Sequence, residues 1–304
     1  MKLLKPLFMA ALVTSTSFAY AAPITLPASG NFNTADVNYS DLVSDCGGGY
    51  TCFTDASSLG AGGGSDHFDD AMGIALNGIA YGVSGGDWDG SSLTLDTVTV
   101  GAININVEFM SLGPVMRQIV TLTNTGGVTE SANVSWQNNT GNDGNQRTVA
   151  TSSGDLLATT DDNWVVTADN DSGADNEVNS WVYGSGQVDV LSPTTVLLTD
   201  NSPTFGGAGE EGFTALFDMD LLAGQTSALM FFVGIEGINQ DGIDLAGILG
   251  DTFSALFSSL TADLSAAEFD QIRNWNVATS VPEPTTLAIL AVGLLGLRAR
   301  QKRS

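Results

Sequence analysis

Between residues 22 and 280 the chain contains no lysine, and its only cations there are Arg117, Arg147 and Arg273. The other six of its nine basic residues stand at Lys2, Lys5, Arg298, Arg300, Lys302 and Arg303. Against them are 34 acids, of which all but Glu283 fall in the central stretch. A body of that sign repels phosphate backbones, which excludes nucleic acid as a partner. Its self-repulsion also predicts an exterior rich in salt or divalent cations, which screen like charges. Histidine occurs once, at His67, and cysteine twice. That inventory excludes zinc sites of the H-E-x-x-H or Cys/His kind. His67 itself, within SDHFDD, reads as a loop residue. Proline is scarce too, with no proline-rich linker in the middle, so residues 22–280 read as one domain.

The ends differ from this body. Lys2 and Lys5 precede the apolar run Leu7 to Val13, and the small residues Ala19 and Ala21 flank Tyr20. This order is that of a secretory signal over residues 1–21, with cleavage after Ala21 so that Ala22 begins the mature chain. At the other end Val281, Pro282, Glu283 and Pro284 are followed by an uncharged stretch, 285–297, and a basic tail, 298–304, carrying Arg298, Arg300, Lys302 and Arg303. The two prolines remove backbone donors and disfavour helix before them, leaving an extended peptide accessible to a protease. As a helix, 285–297 would be ~20 Å long against a hydrocarbon core of ~30 Å, a marginal transmembrane span. Snorkelling arginines and local thinning cover part of the shortfall, and the basic cluster sets the tail on the cytoplasmic side.

These three ordered features, within about the last two dozen residues, resemble the PEP-CTERM sorting signal. The resemblance implies recognition by a membrane-embedded protease of the exosortase type, anchoring by residues 285–297 with the body in the periplasm, and release to the cell surface or medium. It also implies a setting of exopolysaccharide production and biofilm matrix.

Apolar residues make up 43% of the chain, enough for a proper core. Cys46 and Cys52 are separated by Gly47, Gly48, Gly49, Tyr50 and Thr51. In an oxidising compartment they are expected to pair, and closing so short a loop stabilises by ~2.5 kcal/mol on a chain-entropy argument.

Period-two alternation dominates the body, as at Ile103, Ile105, Val107 and Phe109. Ile119 to Leu122, the turn Asn124 to Gly127 and the alternation that resumes through Val134 and Trp136 read as a hairpin. Phe213 to Ile235 reads as a second hairpin, with its turn at Ala223, Gly224 and Gln225 and with Asp218 and Asp220 facing water. Further strands are expected at Trp164–Thr167, Trp181–Tyr183, Val188–Leu191 and Thr195–Thr199, with an exposed loop from Ala168 to Ser180. Helical spacing appears from Ile243 to Leu260, including Ile248 and Phe253, and Ser265 with Glu268 forms a capping box. The expected fold is therefore mainly β: an antiparallel two-sheet sandwich with short C-terminal helices, followed by a single transmembrane helix.

No catalytic residues emerge. Gly82 to Gly86 matches G-x-S-x-G, but His67 precedes Ser84 and no alternating βα pattern surrounds it. Asp169, Asp171, Asp175 and Glu177 crowd oxygen ligands into one stretch that would suit calcium, the alternative being a solvated acidic loop. Asp66, Asp69 and Asp70, and Asn239, Asp241 and Asp244, form similar groups. The three arginines are expected to neutralise neighbouring acids. Two functions follow: a non-enzymatic surface or matrix protein, or a carbohydrate-binding or polysaccharide-active sheet protein. Exposure of Trp88, Trp136, Trp164 or Trp181 would favour the second, since sugars stack on aromatic rings.

Overall fold

The computed structural model describes residues 22–28, 30, 32–59, 67–141, 146–169, 177–187, 190–199 and 212–276. The signal segment, the sorting motif and the stretch 285–297 lie outside them. Among the described residues no helix is long and apolar enough to cross a membrane.

The chain is mainly β and antiparallel. Its first strands are β1 (Ala22–Thr25), β2 (Val37–Tyr39), β3 (Leu42–Val43), β4 (Cys52–Phe53), β5 (Ala56–Ser58), β6 (Gly73–Leu76) and β7 (Ile79–Ala80). There follow β8 (Gly85–Trp88), β9 (Ser92–Leu95), β10 (Val98–Val100), β11 (Ile103–Leu112), β12 (Val115–Asn124) and β13 (Glu130–Asn139). The last are β14 (Gln146–Thr151), β15 (Trp164–Asp169), β16 (Val178–Val182), β17 (Thr195–Thr199), β18 (Gly212–Leu221) and β19 (Thr226–Glu236). Three helices close the described chain: α1 (Asn239–Gly250), α2 (Ala255–Leu260) and α3 (Ala266–Gln271).

A 10-stranded sheet runs β1-β8-β9-β11-β12-β19-β16-β15-β14, with β10 beside β11. A 5-stranded sheet runs β17-β18-β13-β6-β7, and β2-β5 and β3-β4 form small pairs. One core lies between the two large sheets, where Ile105, Val107 and Phe109 of β11 meet Val134 and Trp136 of β13 and Phe213 and Phe217 of β18. A second core lies on the other face of the larger sheet, under the helices. Strand β19 serves both: Leu229, Phe231 and Val233 point into the first core, Ala228, Met230 and Phe232 into the second. A strand covered on both faces reads as a continuous apolar run, which is the sequence of β19. Gly242 lets α1 approach the sheet, since a Cβ there would come within 2.5 Å of Val178 Cγ1.

Both expected hairpins are instead connections between sheets. Strand β12 pairs with β11 and β19, whereas β13 pairs with β18 and β6. Likewise β18 and β19 lie in different sheets. The alternation gives each strand an apolar face, but the same pattern serves strands that lie side by side and strands that face one another across a core. Val190 and Leu191 form no strand; Leu191 N donates instead to Arg273 O at 2.8 Å. Of the residues expected in an exposed loop from Ala168 to Ser180, Ala168, Val178, Asn179 and Ser180 are instead buried in β15 and β16, and 170–176 lie outside the described residues. The late helical pattern divides into α1 and α2, leaving Ile248 and Phe253 exposed. The Ser265 capping box is present, with Ser265 Oγ accepting from Glu268 N and Glu268 Oε2 from Ser265 N.

Candidate functional site

Cys46 and Cys52 are joined in a disulfide. Asp70 lies close to the two sulfurs, but with both thiols consumed in the bond the group is structural. Ser84 of the G-x-S-x-G match precedes strand β8 rather than a helix, and its carbonyl accepts from Leu26 N.

His67 lies outside any strand or helix, as its acidic neighbours suggest, but is fully buried. Its Nε2 lies 3.0 Å from Ser58 Oγ, and its carbonyl accepts from Asn179 Nδ2. Burial pushes the imidazole down to about 4, the contacts with Asn179 and Val178 opposing only in part. At neutral pH it is uncharged.

Arg117 does neutralise acids. It is fully buried under the helices, with Nη1 and Nη2 each 2.7 Å from Asp263 and Nη2 2.5 Å from Glu108 Oε1. Nη1 also donates to Leu260 O at 2.5 Å. Burial acts upward on both acids, yet they end on opposite sides of the ordinary range. The two-pronged bond from Arg117 outweighs burial at Asp263 and holds it low. Glu108 stays high, because burial and the charges of Asp263 and Glu268 exceed the pull of Arg117. Arg147 lies in β14, and Arg273 is exposed.

Of the residues proposed for calcium, Asp171 and Asp175 lie outside the described residues, Asp169 ends β15 and Glu177 directly precedes β16. The Asn239, Asp241, Asp244 group is divided: Asp244 Oδ1 accepts from Gln240 Nε2, while Asp241 turns to a hollow of about 230 Å³ shared with Asp36 and Glu236. Burial, then repulsion from Asp241 and Asp36, pushes Glu236 up to about 7. These three acids are over two hundred residues apart at their extremes, so no spacing in the sequence could have joined them.

A polar cleft of about 170 Å³ lies between the β14–β15 connection and the chain after β16. Asp162 at its wall accepts from Ser152 Oγ, Ser153 N, Thr159 N and Thr159 Oγ1. Burial is outweighed by these bonds, which hold the carboxyl below its ordinary range and use its lone pairs to shape the loop.

Two of the tryptophans are core residues. Trp136 stacks on Phe231 at 4.6 Å and Trp181 on Phe213 at 5.8 Å, both fully buried. Trp164 packs half-buried against the helix layer. Trp88, also half-buried, borders an open groove of about 410 Å³ together with Asn33, Ser91, Ser111 and Ser259.

Residues 280–303 match the family model described as the PEP-CTERM protein-sorting motif. The chain carries a PEP-CTERM sorting motif. The match takes in Val281 to Pro284 and the basic residues Arg298, Arg300, Lys302 and Arg303. The motif implies export and processing by exosortase, a membrane protease. No curated protein matches this chain.

Among solved structures the protein is similar to a galactose mutarotase-like protein from Lactobacillus casei, at 12% identity and TM-score 0.42, over 71% of this chain and 100% of that one. It is similar to a protein from Synechocystis at 10% identity and TM-score 0.44, over 74% of this chain and 100% of that one. Similarity to a polysaccharide lyase, at 12% identity and TM-score 0.43, extends over 70% of this chain but 34% of the lyase. The chain thus spans about a third of the lyase's length. At such values these likenesses carry no assignment of activity.

Proposed function

We propose that the protein is a non-enzymatic component of the cell surface or extracellular matrix, its β body displayed outside and its tail serving delivery. In this reading residues 285–297 hold the chain in the inner membrane with the body in the periplasm. Exosortase cuts near Pro282–Glu283–Pro284, and the body passes to the surface or medium, in an exopolysaccharide setting. No cofactor is needed; calcium at the Asp169–Glu177 stretch would act only as a screening ligand of the acidic loop.

The observation that carries the proposal is the sorting motif at 280–303. The charge distribution supports it, with basic residues gathered at both ends and nearly absent from the body. Fractionating a host that expresses the full chain, beside one expressing the chain without residues 281–304, tests it. The full chain is expected in the envelope and then on the surface, and the truncated chain loses the envelope stage. Full-length protein found soluble in the cytosol with both segments intact contradicts the proposal.

A second reading, binding of carbohydrate by the body, is favoured by one observation: the half-buried Trp88 at the edge of an uncharged groove.

A further inference from the structure

We infer that the groove beside Trp88 is a binding site for a neutral sugar unit of a polysaccharide. The inference rests on the carbohydrate-binding reading and gives it a location and a ligand class.

The groove is built from four parts of the chain: Asn33 and Thr34 ahead of β2, the turn between β8 and β9, the end of β11, and Ser259 of α2. Its volume of about 410 Å³ is within the range of ~300–1,000 Å³ usual for small-ligand sites. Trp88 ends β8, where it is paired with Ala22 on one side and Leu93 on the other. Its ring meets the Phe32 ring edge-on, with centroids 5.4 Å apart, and the residue keeps part of its surface outside. Beyond it the backbone opens. Gly90 has φ +100, and a Cβ there would meet nothing within 4 Å.

The turn is held in place without a ligand. Asp89 Oδ1 accepts from the Ser91 and Ser92 backbone amides at 2.8 and 2.7 Å, and its two oxygens accept from the hydroxyls of the same serines. A ring fixed in this way loses little freedom when a ligand covers it.

Charge selects the ligand. The body contains 33 acids, yet among the described residues none that lines this groove is ionisable, and the neighbouring Asp89 has both oxygens engaged by the serines of its own turn. What borders it besides Trp88, Met110 and Leu112 is amide and hydroxyl. Asn33 Oδ1 is occupied by Tyr39 N at 2.9 Å, which fixes the amide and leaves Nδ2 without a partner among the described residues. The Ser111 hydroxyl has none there either, and Ser259 Oγ, donating to Ala255 O, keeps its lone pairs. An aromatic ring with mixed donors and acceptors matches a pyranose, which has an apolar C–H face and a hydroxyl rim. A cation would lack carboxylates here, and an acidic glycan would meet the field of the whole body.

The test is affinity electrophoresis of the purified protein in native gels containing a neutral glucan, galactan or mannan, or a uronate-rich polysaccharide, each against a gel without polysaccharide. At least one neutral polymer is expected to retard the protein and the uronate polymer not to. Trp88→Ala should weaken that retardation tenfold or more, while Trp88→Phe keeps most of it. Because Trp88 also packs on Phe32, Ser259→Arg serves as an independent variant. It changes an exposed helix position and should abolish retardation with an unchanged Tm. Retardation undiminished in both Trp88→Ala and Ser259→Arg overturns this site while leaving the carbohydrate reading in place. No retardation by any neutral polymer overturns both, and retardation only by the uronate polymer overturns the charge argument.

Discussion

The side-chain amide of Asn124 donates to the carbonyl of Leu221 at 2.9 Å, joining two sheet-crossing turns that lie 97 residues apart in the chain. The same Nδ2 donates to Val128 O within its own turn, and Oδ1 accepts from Gly126 N. Backbone bonds complete the join, with Asn124 N donating to Gln225 O and Gly224 N to Asn124 O. The unit β12–turn–β13 thus stacks on the unit β18–turn–β19. Asn124 is fully buried where they meet.

Replacing Asn124 by Ala leaves the carbonyl of Leu221 without this donor in a buried site, whereas the carbonyl of the exposed Val128 can turn to water. We expect a loss of about 1–3 kcal/mol, the cost of one stranded buried polar group. Urea unfolding measures it. A loss below about 0.5 kcal/mol would show that the two turns do not depend on this residue.

Arg117→Met takes a fully buried guanidinium from Glu108 and Asp263, whose side chains are 27% and 44% exposed, so solvent screens the acids left behind and the loss should be about 1–2 kcal/mol. The triple change Glu108→Leu, Arg117→Met, Asp263→Leu should recover part of that, since it removes the unpaired acids along with the buried cation. Denaturant midpoints of the two variants decide it. If the triple variant is the less stable, the ionic group contributes net stability of its own.

The alternation at Ile103, Ile105, Val107 and Phe109 was legible because β11 buries one face and leaves the intervening residues half-exposed. The capping box at Ser265 and Glu268 was legible because both partners lie within one turn of chain. Strand partners were not. A connection such as Thr125 to Thr129 fits a hairpin or a crossing equally well, and the contact that decides, Asn124 to Leu221, is remote in sequence. The same remoteness hid the grouping of Asp36 with Glu236 and Asp241, and the burial of His67 among Ser58 and Asn179. The sorting motif was fully legible, since its function is carried by local order rather than by folding.

The buried neutral His67 makes stability depend on acid pH. In the unfolded chain the imidazole takes its proton near 6.5, in the folded chain only near 4, so between those values the unfolded state binds more protons. Stability from this source is fully present above 6.5 and is lost as pH falls toward 4, by roughly 3 kcal/mol. His67→Gln should therefore lose less Tm than the parent between pH 7.5 and pH 4.5. Parallel curves would place the acid sensitivity elsewhere.

Glu236 works in the opposite direction. Its folded value of about 7 stands above the ordinary 4.5, so the folded state binds more protons between the two. The stability it confers is fully present below 4.5 and is lost as pH rises through 7. Glu236→Gln should leave Tm near pH 5 little changed and raise it relative to the parent at pH 8. An equal offset at both pH values would contradict the crowding by Asp36 and Asp241.

The central claim is that a folded acidic β body is carried outward and parted from its tail at the Pro-Glu-Pro motif. Mass spectrometry of the C-terminal peptide, on protein released from the surface of a host with its exosortase, tests this directly. The released chain is expected to end near Pro284 and to lack Arg298, Arg300, Lys302 and Arg303, with the tail retained when exosortase is deleted. A surface-released chain that still carries residues 298–304 would contradict it.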